Sequence, residues 1–221
     1  MPPKRNLTVV TYNIHKGLSH FNKRLVLHEI KDRLKTLDAD VAFLQEVQGK
    51  HDRQARRHLT WPEVSQHEYL THEGAHCVYG MNAVYQDGHH GNAVVSRHPI
   101  PVWENIDISH HPIESRGLLH CEMEVPGWSE RVHCINVHLG LWARSRRFQL
   151  EWLSERIRAA VPSSGPLTVA GRVASRVERR QAARRVLRQR EVPGDRPRRH
   201  RTRLGADQGR QPDPGDAVHG R

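Results

Sequence analysis

The sequence predicts an α/β protein, and three observations carry that prediction. Residues 7–44 read as strand, helix and strand; the middle of the chain is a succession of short β-type runs broken by turn dipeptides; and a second helical stretch before residue 160 leads into one more apolar run. Each element has a local reason. Leu7–Tyr12 is β-branched and apolar and ends at Asn13, with Gly17 soon after, as a buried strand running into a polar loop does. Leu27, Ile30, Leu34 and Leu37 then recur at helical spacing with Lys, Arg and Asp between them, which gives one apolar face and one wet face before Asp38-Ala39-Asp40 stops the helix. Val41–Leu44 is a short apolar run that ends in Gln45-Glu46, so the polar ends of both strands should share a rim.

The stretch Gln48–His76 has no clear period and reads as a long irregular excursion with short helical pieces. After it, Ala83–Tyr85, Asn92–Ser96, Gly117–Val125 and Arg131–His138 are punctuated by Asp87-Gly88, His98-Pro99 and Pro126-Gly127, the rhythm of meandering antiparallel strands. Helical spacing returns over Arg144–Ala160 through Leu150, Leu153 and Ile157, and Leu167–Ala170 begins a further strand.

The pattern stops at Gly171. Residues 172–221 hold 15 Arg, no Lys, 6 Asp or Glu and no aromatic residue, for a net charge of +9, whereas residues 1–171 keep all 12 aromatics and a net charge of only +2. Such a tail cannot bury enough surface to offset its ordering entropy, so it is expected to be disordered, and the division falls into residues 1–171 and a 172–221 tail. The overall +11 therefore says nothing about the partner of the folded part. Three cysteines without a C-x-x-C pair give neither a disulfide framework nor a zinc knuckle, and no apolar run approaches membrane-spanning length, which together point to a reducing, cytoplasmic setting.

The segments VVTYNIHKG, ADVAFLQEV, GHHGNAVVSRHPI, SRGLLHCEMEV, INVHLGL and LTVAG occur in an order that resembles the endonuclease/exonuclease/phosphatase superfamily over residues 7–171. The resemblance implies a four-layer sandwich of two mixed β-sheets flanked by helices, incomplete here at its C-terminal end. It implies a metal-dependent phosphoester hydrolase acting on nucleic acid, phospholipid head groups or inositol phosphates. On this resemblance Glu46 is the metal-ligand glutamate with Asn13 beside it, and the cation is Mg²⁺ or Mn²⁺, which take oxygen ligands. His138 contacts the scissile phosphate and stabilises charge there. His90 and Asn92 occupy positions of groups that face the phosphate, and Arg116 could supply a fork to a phosphate oxygen.

The departures matter as much. After LTVAG the superfamily carries Asp-Phe-Asn, which orients or deprotonates the attacking water, and later a Ser-Asp-His. Here Arg172-Val173-Ala174 follows, and no Asp-His dipeptide occurs downstream. Arg is no base at neutral pH and its charge opposes a cation, so impaired catalysis is expected. A reading-frame shift near codon 171 would explain the lost motif, the lost aromatics and the Arg-only basicity together, and a core deprived of its C-terminal strands should be unstable and prone to aggregate. Two other classes compete. The basic tail could bind nucleic acid or acidic lipid without catalysis, and His72-Glu73-Gly74-Ala75-His76 matches the H-E-x-x-H zinc-peptidase pattern if that stretch is helical.

Overall fold

The computed structural model of the chain describes residues 6–19, 24–173 and 183–188. Strand β1 (Asn6–Asn13) runs into a single 3₁₀ turn, His15–Gly17, and then into helix α1 (Leu27–Leu37) and strand β2 (Val41–His51). Two short helices follow, α2 (Asp52–Arg57) and α3 (Gln66–Leu70), before the strands β3 (His76–Tyr85), β4 (Gly88–Ser96), β5 (Val102–Asp107), β6 (Gly117–Met123) and β7 (Val132–Leu139). Helix α4 (Ala143–Ala160) leads to β8 (Leu167–Val173), and β9 spans Ala183–Arg188.

The strands form two mixed sheets, one in the order β3-β4-β2-β1-β9 and the other β5-β6-β7-β8. β1 and β2 pair in parallel, as do β7 and β8, and the other pairings are antiparallel. Alternation along each strand sorts side chains into layers. Leu7, Val9, Val41 and Phe43 of the first sheet meet Leu119, Cys121, Met123 and Cys134 of the second in a core between the sheets. Val10, Tyr12, Ala42 and Leu44 turn outward onto Leu27 and Ile30 of α1, while Ile135, Val137 and Leu139 turn outward onto Leu153 of α4. The layers are therefore helix, sheet, sheet, helix, and the predicted fold class is the observed one.

Differences from the sequence reading have local causes. β2 continues to His51 instead of ending at Gln45-Glu46, because a register shift against β4 between Leu44 and Val47 absorbs one residue and pairing resumes beyond it. β5 escaped notice because it is an edge strand with Val102 and Trp103 largely exposed, so it lacks an apolar alternation. The H-E-x-x-H stretch is no helix: Ala75 N–H bonds to His72 O, Gly74 has φ +76°, and His76 already belongs to β3. His72 and His76 therefore do not share a helical face, and the zinc-peptidase reading loses its geometry. Beyond the expected boundary at Gly171, β8 runs on through Arg172 to Val173, and Ala183–Arg188 pairs antiparallel with β1 from Asn6↔Arg188 to Thr11↔Ala183. That pairing supplies backbone partners to an otherwise open edge of β1, which requires no apolar pattern in the added strand. The rest of the expected tail lies outside the described residues.

Candidate phosphoester site at the sheet rim

The carboxyl ends of β1, β2, β7 and β8 lie on one rim of the sandwich, where the starts of β4 and β6 join them. Asn13 is the last paired residue of β1, opposite Gln45. Its Oδ1 accepts from His15 N–H at 2.9 Å, closing an Asx turn that bends the chain off the strand. Its Nδ2 donates to Glu46 Oε1 at 2.7 Å. His15, Lys16 and Gly17 follow with φ of 50°, 59° and 68°. At Gly17 an added Cβ would also stand 2.7 Å from Gln66 Nε2, so this turn requires glycine.

Glu46 sits in the bulge of β2 with φ 54°. Because of the extra residue, Val47 packs with Leu44 in the helix-side core, and Glu46 is released toward the rim. A non-glycine residue held in the left-handed region stores strain of order 1–3 kcal/mol, and such positions cluster at functional sites. Downstream, Gln66 Oε1 accepts from Gln48 N–H at 2.9 Å and Gln66 Nε2 donates to Lys16 O at 2.8 Å, so one buried amide ties the β1 turn to the bulge.

The rim's electrostatics follow from this packing. Burial disfavours the charge on Glu46, but hydrogen bonds from His15 and Asn13 and the fields of His138 and His15 outweigh it, and its pKa falls to about 2. His15 Nδ1 lies 3.3 Å from Glu46 Oε2, and His138 Nε2 lies 4.0 Å from Glu46 Oε1. Burial, assisted by Arg116, holds His138 neutral with a pKa of about 4. His90 is also pushed down to about 4, by burial first and then by Lys16, against the opposing pull of Glu46. His138 Nε2 and His90 Nδ1 are buried and lack a hydrogen-bond partner among the described residues.

The sequence-nominated residues are thus not equivalent. Asn13, Glu46 and His138 come together, and His90 lies within their electrostatic reach. Asn92 is employed otherwise: fully buried, it donates from Nδ2 to Gly117 O at 3.1 Å and Asn136 O at 3.5 Å, joining the two sheets behind the rim. Arg116 donates to Glu114 Oε1 at 3.0 Å and to Ser115 O at 2.9 Å, with its Nε unpartnered among the described residues. Burial lowers its pKa while Glu114 and Glu46 raise it. Sequence reasoning passed over Glu114, whose buried Oε1 also accepts from Leu141 N–H at 2.7 Å. It also passed over Asn136, which is wholly buried. Asn136 Nδ2 donates to Leu44 O and Ala93 O, each at 2.9 Å, and its Oδ1 accepts from Gln45 Nε2 at 2.8 Å. The signal for Asn136 is an amide that follows Val132 and Cys134 on the inward face of β7, two residues before His138 on the same face. Arg172 is paired across from His138 in the β7–β8 register and weighs on its protonation.

Residues 10–201 match the model of the Endonuclease/Exonuclease/phosphatase family. The chain belongs to the endonuclease/exonuclease/phosphatase family. It is 43% identical over 164 residues to the uncharacterized protein YbhP of Escherichia coli (strain K12), covering 74% of this chain and 64% of YbhP; the chain thus spans under two thirds of that relative. Among solved structures it is similar to an endonuclease/exonuclease/phosphatase from Beutenbergia cavernae DSM 12333, with a TM-score of 0.57 and 22% identity over 76% of this chain and 47% of that one. It is also similar to D. rerio TDP2 complexed with a single strand DNA product, with a TM-score of 0.53 and 16% identity over 76% of this chain and 60% of that one. These two likenesses concern the fold of the family, and none of the helices of the described residues is long and apolar enough to cross a membrane.

Proposed function

We propose that the rim is the phosphoester-hydrolysing site of a divalent-metal-dependent enzyme. The observation that carries the reading is the convergence, around one ionised carboxylate, of Asn13 and of a neutral buried histidine whose Nε2 has no partner among the described residues. The donor set suits a hard cation that keeps several waters, because Mg²⁺ asks for only one or two carboxylates, and Glu46 stays ionised throughout the working pH range. No group of three or more His, Cys, Asp or Glu side chains that could cage a metal exists among the described residues, which fits a water-rich ion better than a structural one. Glu46 would hold the ion, with Asn13 alongside; when bound it neutralises charge on the phosphoryl oxygens. Mg²⁺ and Mn²⁺ are the candidates.

The chain's own residues account for the rest. Asn13 fixes the Glu46 carboxylate through its 2.7 Å bond, so the acceptor is oriented before substrate arrives. His138, neutral at pH 7, can donate from Nε2 to a phosphoryl oxygen, and His90 adds a second ring, with its Nδ1 buried, within reach of the same field. Arg116 can donate from Nε, its remaining unpartnered N–H among the described residues, toward the same oxygens. Arg172 stands where the resemblance requires an acidic residue that activates water, so the rate of this chain is expected to be low.

The test is hydrolysis of bis(p-nitrophenyl) phosphate with Mg²⁺ or Mn²⁺. Glu46→Gln should lower kcat/KM by about 10² or more, and His138→Ala by a similar factor. Equal residual rates in the parent and both variants would dismiss the reading. Substrate class among nucleic acids, phospholipid head groups and inositol phosphates, the cytoplasmic location and an out-of-frame origin of residues 172–221 stand with it as proposals. The last is checked by retranslating the gene past codon 171 for Asp-Phe-Asn and a later Ser-Asp-His.

A further inference from the structure

Beside the rim, two loops raise a cluster of large apolar side chains into solvent. Ile113 is 78% exposed, Leu141 47% and Trp142 45%. They belong together: the His111 ring packs on Trp142 with centroids 5.1 Å apart, and the buried Glu114 carboxylate accepts from Leu141 N–H at 2.7 Å. The same Glu114 holds Arg116 at 3.0 Å, and Gly140 and Leu141 follow His138-Leu139 directly, so the cluster is fastened to the candidate site. Arg144 and Arg147, both exposed, border it on the first turns of α4.

An apolar tip with exposed arginines on the adjoining helix matches one kind of partner closely, a bilayer whose surface is anionic. Nucleic acid fits less well. The aliphatic Ile113 and Leu141 offer no ring on which a base can stack, and the Trp142 ring is already engaged by His111. Isolated exposed apolar residues need no explanation, but three on adjoining loops, held by a buried carboxylate, form a patch.

We propose that the Ile113–Leu141–Trp142 surface docks the chain on an anionic lipid bilayer, with Arg144 and Arg147 on the head groups, so that the rim faces phosphoesters at the lipid surface. The orientation rests on the phosphoesterase reading, whereas the docking does not. The tip enters the interfacial region and Arg144 and Arg147 stay at head-group level, which accommodates a peripheral protein without a spanning helix.

The experiment is co-sedimentation of the full chain with phosphatidylglycerol vesicles and with phosphatidylcholine vesicles, in parallel with Ile113→Gln/Leu141→Gln, a double variant of exposed positions. The parent is expected to sediment with the anionic vesicles at 0.15 M salt and the double variant to partition about tenfold or more weakly, while the circular dichroism spectra coincide. Brominated acyl chains should quench parent fluorescence more than that of Trp142→Phe. Undiminished sedimentation of the double variant would overturn the proposal, because other cations would then be holding the vesicle. So would the absence of vesicle binding, or a loss in the double variant of single-stranded DNA binding alone. Glu46→Gln is expected to bind vesicles like the parent, so a failed docking result is distinguishable from a failed active site.

Discussion

Lowering the pH from 7 to 5 should destabilise the protein through His120, which lies on the α4 side of the second sheet, away from the rim. Arg156 Nε donates to His120 Nδ1 at 3.0 Å, and His120 Nε2 stands 3.0 Å from His133 Nδ1. Guanidinium can only donate, so the neutral ring carries its proton on Nε2 and gives it to His133. A second proton on Nδ1 would face Arg156 in a site where the ring is 3% exposed. Burial, then Arg156 and His133, accordingly lower the His120 pKa from 6.5 to about 4, with Glu122 pulling the other way. Since the folded value is the lower one, the unfolded chain binds the proton first; stability is full above about pH 6.5, falls as pH drops toward 4 and levels off below that. With these two values the loss between pH 7 and pH 5 is about 2 kcal/mol, or about 4–8 °C in Tm for a chain of this size. His120→Gln keeps an acceptor for Arg156 and a donor for His133 but cannot titrate. Urea unfolding of the parent and this variant at both pH values isolates the effect, and a difference in pH dependence under about 0.5 kcal/mol would refute the reasoning.

Other outcomes follow from the same structure. Glu46→Gly relieves a left-handed glutamate but removes a carboxylate that the fold holds in its charged form and strands the Asn13 amide, so at pH 7 its urea midpoint should fall below that of the parent while its hydrolysis of bis(p-nitrophenyl) phosphate is lost. Asn136→Leu removes the donors to Leu44 O and Ala93 O, and the midpoint of thermal unfolding should fall by the equivalent of about 3 kcal/mol. Phe43→Ala empties the core between the sheets and should cost about 3–5 kcal/mol in the same measurement. Arg172→Asp places a carboxylate across from His138, and metal-dependent phosphodiester hydrolysis should rise above that of the parent.

The parts of this fold that depend on a local period were legible in the amino-acid order. α1 shows its apolar stripe, its end follows from Asp38 in the left-handed conformation, and the parallel pairing of β1 with β2 follows from the helix between them. The parts set by a partner strand were not. The bulge that aims Glu46 exists only because β4 resumes its pairing after skipping a residue, and no pattern within β2 announces it. At the site, Asn13, Glu46 and His138 stood out as polar residues closing apolar runs. Glu114 did not, because its burial depends on Leu141 and Arg116 arriving from other segments. Asn92 shows the reverse: read from the sequence as the start of a strand, it lies in the middle of β4, and its amide nitrogen bonds to carbonyls of the opposite sheet.

The belt of buried amides formed by Gln45, Asn92 and Asn136 has an implication for how such a chain can diverge. Leucine, valine and methionine in the core interchange at modest penalty so long as volume is kept, so that region can drift one residue at a time. The belt cannot, since each amide is held by a fixed carbonyl, a hydroxyl or another amide, and a lone change strands a donor or an acceptor in the dry interior. Lineages that remodel the rim are therefore expected to inherit this belt whole or replace it in concerted steps, leaving the loops above it as the ground on which new specificities are tried.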